Sequence, residues 1–258
     1  MYAAVIAVAG IYLILAYILL PALWAHHEHQ PGLAVKPMVT RTAQGIPGDA
    51  MNVGLVGAKE EVIRAMLAAG WLPADPITFE SSAGIVDSVL LHRPDPDAPV
   101  SNLYYEGRKQ DLAFEKPVGG SARQRHHVRF WLVLEEGLEG RPVYLGAATF
   151  DRSVGVSRYT GQITHYIGPD IDAERDLIIA DLTAAGMLTY EVSGIGPTLI
   201  AFNGGGDRYT TDGEIGFGVI AVGAVPQSAP PVELPNPALV QFKDTLWSAI
   251  DPAQATAP

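Results

Sequence analysis

Cysteine is absent from the chain. That excludes disulfides, a thiolate nucleophile and cysteine-ligated zinc or iron–sulfur centres, while leaving the compartment open. Positive charge is scarce: 17 Lys and Arg stand against 28 Asp and Glu, a formal net charge of -11. A surface of that sign repels a phosphate backbone, so nucleic acid is excluded as a main partner. Familiar catalytic signatures are missing too. The sequence holds no His-Glu-x-x-His helix motif for zinc and no Gly-x-Ser-x-Gly nucleophile elbow, and it implies no particular cofactor.

Charge is also absent from residues 2–25, YAAVIAVAGIYLILAYILLPALWA. A run of this kind matches the roughly 20 apolar residues that a membrane-spanning helix needs. Tyr2 and Trp24 flank it, where amphipathic rings favour the headgroup layer. A cleaved signal peptide would carry a basic start, a shorter apolar core and a small-x-small cleavage site, and ALWA is a poor match to that. Residues 1–25 are therefore expected to be a retained anchor with the bilayer as partner. Lys36 and Arg41 follow the run and no Lys or Arg precedes it, which tilts the orientation towards a cytoplasmic domain.

His26, His27, Glu28 and His29 come next. Imidazole and carboxylate together suit a metal, but a solvated turn before Pro31-Gly32 explains them better, since no further ligand is near in sequence. Residues 26–50, with three prolines (Pro31, Pro37, Pro47) and three glycines (Gly32, Gly45, Gly48), are expected to be a linker. A folded domain is expected over 51–225, and 226–258 as a proline-rich linker with a short helix striped by Leu239, Phe242, Leu246 and Ile250.

Within the domain, residues 58–69 read as a helix: Val62, Met66 and Ala69 share a face, Glu60 and Glu61 fall in the first turn, and Gly70 stops it. Residues 81–91 suggest another helix. Residues 170–186 give the clearest one, with Asp170 or Asp172 as cap and Gly186 as stop. EEVIRAMLAAGWL and RDLIIADLTAAGML echo each other, either as a duplicated unit or as convergence on good helix formers. Between and after these helices lie alternating, β-branched runs. They include a long hairpin turning near 137–140 and a second one centred on Asp212-Gly213. The fold class is α+β, a largely antiparallel sheet with packed helices, preceded by one transmembrane helix.

Residues 123–131, RQRHHVRFW, are the most unusual stretch. Strand alternation puts His126, Val128 and Phe130 on one face and Arg125, His127, Arg129 and Trp131 on the other. With the hairpin centred near Leu138, Arg125 falls opposite Asp151, His127 opposite Thr149 and Arg129 opposite Ala147. The polar face could bind an anion or a partner through Arg108, Arg125, His127, Arg129 and Asp151, because guanidinium forks match carboxylate or phosphate. Were it catalytic, His127 and Asp151 would be the acid–base candidates. A metal reading would instead join His126 and His165 with Asp170 or Asp172. In NGGGDRYTTDG, 203–213, the glycines lack the Gly-Lys-Ser/Thr of a phosphate loop and the acids of a calcium loop, so they are expected to serve a sharp turn.

Taken in order, APVSNLYYEGRKQDLAFEK, RQRHHVRFW, GAATFDR, THYIGPDIDAERD and NGGGDRYTTDG resemble the C-terminal domain of LssY-type proteins, over residues 52–222. The resemblance implies a bacterial, membrane-associated module. The family name comes from a component associated with a type I secretion locus. Related chains carry the domain beside lipid-phosphatase-like membrane modules, which this single-span chain lacks, so no phosphatase activity carries over. The expected function is a non-catalytic binding or accessory component of a secretion or envelope-lipid system, working beside transport or secretion membrane proteins. The alternative is a hydrolase acting on a phosphorylated or lipid-linked substrate.

Overall fold

A computed structural model describes residues 2–20, 30, 32–74, 102–119, 124–195 and 199–234, with positions 238, 241, 242 and 245. The expected helix at 81–91, the histidines at 26–29 and most of the expected C-terminal helix lie outside the described residues. Helix α1 spans Tyr2–Ile14 and continues as a π-helical turn over Leu15–Leu19, with no buried side chain. These 18 residues form a helix long and apolar enough to cross a membrane.

The folded part begins with strands β1 (Val39–Thr42), β2 (Pro47–Ala50) and β3 (Val53–Val56), helix α2 (Lys59–Ala68), and strands β4 (Leu72–Pro73) and β5 (Leu103–Tyr104). Strands β6 (Leu112–Pro117), β7 (Arg125–Leu134), β8 (Val143–Val156) and β9 (Ile163–Ile167) follow, then helix α3 (Asp172–Ala184). Strands β10 (Leu188–Ile195), β11 (Leu199–Phe202), β12 (Arg208–Thr211), β13 (Glu214–Ile220) and β14 (Val232–Leu234) complete the described elements. The main sheet runs β14-β10-β13-β3-β8-β7-β6-β4, with β9 paired to the far end of β8. It is largely antiparallel, as the alternation predicts. Its parallel neighbours are β13 with β3 and β10 with β14. A three-stranded sheet, β2-β1-β5, and the pair β11-β12 stand apart from it.

Both helices pack on one face of the main sheet. Val62, Ile63 and Met66 of α2 and Ile178 and Leu182 of α3 meet Leu55, Phe114, Val128, Phe130 and Ala148 in one core. Glu61 Oε2 accepts the Ala58 N–H at 2.8 Å, and Asp170 Oδ1 accepts the N–H groups of Asp172 and Ala173 at 3.1 Å each. The echoed sequences end in the same way. Trp71 N bonds Met66 O and Met187 N bonds Leu182 O, each at 2.9 Å, with Gly70 and Gly186 left-handed at φ +83° and +68°. This is the Schellman closure that only glycine adopts without strain.

Three expectations are corrected. Residues 32–50 are not a linker, because Leu33 is in the second core and β1 and β2 form a hairpin over the main sheet; the prolines and glycines there make its turns. The stretch after 225 is not wholly free either, since Gln227 N bonds Gly186 O at 2.7 Å and β14 extends the sheet. Finally, β12 and β13 do not pair as a hairpin. The hairpin is β11–β12, turning at 203–207, and Asp212-Gly213 instead carries the chain into the main sheet. Arg175 fixes that crossing through Asp212 at 2.8 Å, while Asp172 accepts Thr211 Oγ1 and Asp212 N at 2.7 Å each.

Candidate functional site

On the sheet face away from the helices, the register sets Arg125 opposite Asp151, His127 opposite Thr149 and Arg129 opposite Ala147. Parity also works as expected: Val128 and Phe130 enter the helix-side core and Trp131 the other one. The burial of this face differs from a solvated cationic ladder. Arg125, His127, Arg129 and Asp151 are between 2% and 7% exposed. Trp131, Val133, Leu145 and Phe217 make half of the face apolar, and Leu33, Met51, Leu103 and Tyr105 seal it, so β1, β2 and β5 are drawn down over the charged half as well.

The buried charges answer one another. Arg125 Nη1 donates to Glu115 Oε2 at 2.7 Å and its Nε donates to Asp151 Oδ2 at 3.1 Å. Arg129 Nη1 lies 3.6 Å from Asp49 Oδ2 of β2. Desolvation is expensive for every one of these ions, so they persist only as a mutually paired set. Burial, and after it Arg129, Arg125 and His165, hold His127 well below the usual imidazole range, so it is neutral. Burial raises the Asp49 carboxyl, Arg129 opposes, and Asp151 adds to the rise.

Beside this lattice opens a cleft of about 330 Å³. Asp49, Arg129, Thr149, Asp151 and His165 form its floor. The β1–β2 turn at Thr42 and Gln44 and the β8–β9 turn with Thr160 and Gln162 also line it. The glycine-rich loop closes the back. Asn203 Oδ1 accepts the N–H groups of Gly205 and Asp207 at 3.0 and 2.9 Å, and its side chain also hydrogen-bonds Asp49. Asp207 Oδ2 accepts the Ile167 N–H at 2.9 Å, which ties the loop to β9. The loop makes the sharp turn expected of it, with Gly206 at φ +90°, and it also lines the cleft through Gly204 and Gly205.

The sequence-derived candidates separate. Asp151 and Arg129 line the cleft, whereas Arg125 and His127 belong to the lattice beside it. Arg108 joins neither: it is exposed, with Nη1 on Asp111 at 3.2 Å and Nη2 on Leu132 O at 2.8 Å. The metal candidates do not converge. His126 faces the helices with Nδ1 2.7 Å from Glu174, Asp170 caps α3, Asp172 holds the Thr211–Asp212 turn, and His165 faces the cleft. Among the described residues no three His, Asp or Glu side chains gather as metal ligands. Sequence reasoning missed Glu115, Asp49, Asn203 and Asp207. Glu115 pairs with His127 across the strands, so parity on LAFEK would have found it; Asp49 was hidden in the supposed linker.

Residues 31–215 match the family model described as the LssY C-terminus. The chain belongs to the LssY C-terminal family. The match takes in β1 and β2, which agrees with their place in the fold, and it contains all the residues that line the cleft. No curated protein and no solved structure matches the chain. In this LssY domain the floor sets two carboxylates, a guanidinium and an imidazole beneath walls of hydroxyl and carboxamide groups. Such a set can bind by hydrogen bonding, and its acids can exchange protons with whatever is bound.

Proposed function

We propose that this LssY-family protein is a membrane-tethered binding module, an accessory component of a bacterial secretion or envelope-lipid system. The helix Tyr2–Leu19 is its anchor and the cleft is its ligand site. The observation that carries the reading is the open cleft set against a buried ionic lattice, in which Arg125 bonds Glu115 and Asp151 beside the cleft and Arg129 faces Asp49 on its floor. A pre-organised floor favours recognition because little ordering remains to be done on binding. Native mass spectrometry of the full chain, purified from membranes, tests it. A co-purifying small ligand is expected, and Thr160→Trp, which fills the cleft from its rim, is expected to lose it while circular dichroism is unchanged. A ligand retained at full occupancy by a folded Thr160→Trp protein sinks the cleft as the site.

One observation favours a hydrolytic reading, with a phosphorylated or lipid-linked substrate. Asp49, raised by burial with a contribution from Asp151, lines the cleft together with Asp151 and His165. A carboxyl that holds its proton more tightly than usual, set beside a second carboxyl, can divide acid and base roles. In this reading His165 replaces His127, which does not line the cleft. Turnover of a phosphoester panel that vanishes in Asp49→Asn supports it; no turnover, or turnover indifferent to that change, removes it.

A further inference from the structure

We infer that the cleft accepts a neutral, hydroxyl-rich group, a glycosyl unit, rather than a phosphate or another anion; this rests on reading the cleft as a ligand site. The lining charge is the first reason. Asp49 and Asp151 both face the space, and the guanidinium that shares it, Arg129, sits 3.6 Å from Asp49. An anion entering here meets two carboxylates in a partly desolvated site, where like charges are costly. Arg125 does not line the space; it directs Nη1 to Glu115 and Nε to Asp151, and its Nη2 is buried beside the cleft without a hydrogen-bond partner among the described residues.

The neutral lining is the second reason. Thr42, Gln44, Thr160, Gln162 and Thr164 line the space. Hydroxyls and carboxamides both donate and accept, as sugar hydroxyls do, so each can pair whichever way the ligand hydroxyl turns. His165, kept below its usual range by burial, adds a neutral ring with one donor and one acceptor nitrogen.

The third reason lies at the mouth. The lining residue Ile163 is 59% exposed. Pyranose rings present C–H faces as well as hydroxyls, and an exposed aliphatic side chain beside a polar floor suits that two-sided surface. At about 330 Å³ the cleft lies at the small end of ligand sites, which run from about 300 to 1,000 Å³. That scale fits one or two sugar rings.

The test uses the full chain in phospholipid nanodiscs, with saturation-transfer NMR and calorimetry. The probes are N-acetylglucosamine, glucose and lactose in one arm, inorganic phosphate in a second and ethanolamine in a third. Saturation transfer to at least one saccharide is expected, competed by none of the other arms and abolished in Thr160→Trp. Gln162→Ala, at an exposed position that lines the cleft, is expected to weaken it by about threefold to tenfold, the worth of one hydrogen bond. Binding of phosphate or ethanolamine, lost in Thr160→Trp, with no saccharide signal overturns the glycosyl assignment and leaves the cleft reading standing. Silence in all three arms overturns both.

Discussion

His127 makes the buried lattice sensitive to acid in a calculable way. It is 2% exposed, lies between Arg125 and Arg129 on one strand face, and is pushed well below its ordinary range by burial first and by those two arginines next. In the unfolded chain it takes up a proton near pH 6.5; in the folded one it does not until far lower. Between those limits the unfolded state binds more protons, so this contribution is complete above about pH 6.5 and is lost as the pH falls. If the folded imidazole stays neutral, the loss from pH 7.5 to 5.5 is about 1.4 kcal/mol. His165, lowered mainly by burial, acts in the same direction. Asp49 and Asp172 are raised, the latter to about 6, and act in the opposite direction, since the folded state there holds its proton longer. The difference between wild type and His127→Gln cancels the shared groups. Urea unfolding followed by the fluorescence of buried Trp71 and Trp131 measures both proteins. The wild-type advantage is expected to shrink by about 1.4 kcal/mol between pH 7.5 and 5.5 at constant urea dependence. Parallel curves refute the reasoning, because they mean the folded imidazole titrates like a free one.

Arg125→Met strands two buried carboxylates, Glu115 and Asp151, and is expected to cost about 3–5 kcal/mol in the same urea assay, with part recovered by adding Asp151→Asn. A loss under about 1 kcal/mol contradicts the lattice. Asn52 holds Ala148 N, Ala148 O and Ile171 O at 2.9, 3.1 and 2.7 Å, so Asn52→Ala is expected to cost about 2–4 kcal/mol and to speed hydrogen exchange at Ala148. Unchanged protection of that amide argues against the bridge. The two helix-ending glycines should differ. Gly70→Ala meets nothing within 4 Å and is expected to cost about 1 kcal/mol for its left-handed backbone alone. Gly186→Ala places a Cβ 2.6 Å from Gln227 O and should cost clearly more; equal losses would mean that the chain at Gln227 does not rest on that turn.

Much of the fold was legible because it is written in short periods. The β7–β8 register follows from the hairpin turn and the alternation of RQRHHVRFW against GAATFDR. The helices follow from their apolar stripes and glycine stops, and the sites' partners follow only where parity extends. Other features depend on long-range packing. Asp49 lies in a proline- and glycine-rich stretch that looks like linker, and only the apolar cover supplied by Leu33, Met51 and Leu103 shows that it must fold down. The Asp212-Gly213 turn carries a strong hairpin signal, yet tertiary pairing of β13 with β3 and β10 overrides it. Local turn chemistry fixes that the chain reverses, not which strands then pair.

The cleft itself comes from an unequal pairing along β8. That strand runs for 14 residues, whereas its neighbour β3 runs for four and pairs only as far as Gly146. Beyond that point the Asn52 side chain stands in for a strand, bonding both backbone groups of Ala148, and Gly168 N takes Phe150 O at 2.8 Å. Only from Asp151 onward does β9 pair with β8, with a register shift between Asp151 and Ser153. The edge of β8 is thus shared by two separate strands, β3 and β9, and the tip of the β8–β9 hairpin meets the loop at 203–207, where Arg158 N bonds Gly205 O at 3.0 Å. A space bounded by a hairpin tip and a tight loop needs a base that cannot collapse into it. Apolar side chains would fill it, as they do around Trp131. Mutually paired ions resist that, because their geometry is fixed by partners in the sheet and moving one strands another. The lattice of Arg125, Glu115, Asp151, Arg129 and Asp49 therefore keeps the cleft open, at a cost in desolvation that a purely structural sheet face would have no reason to bear.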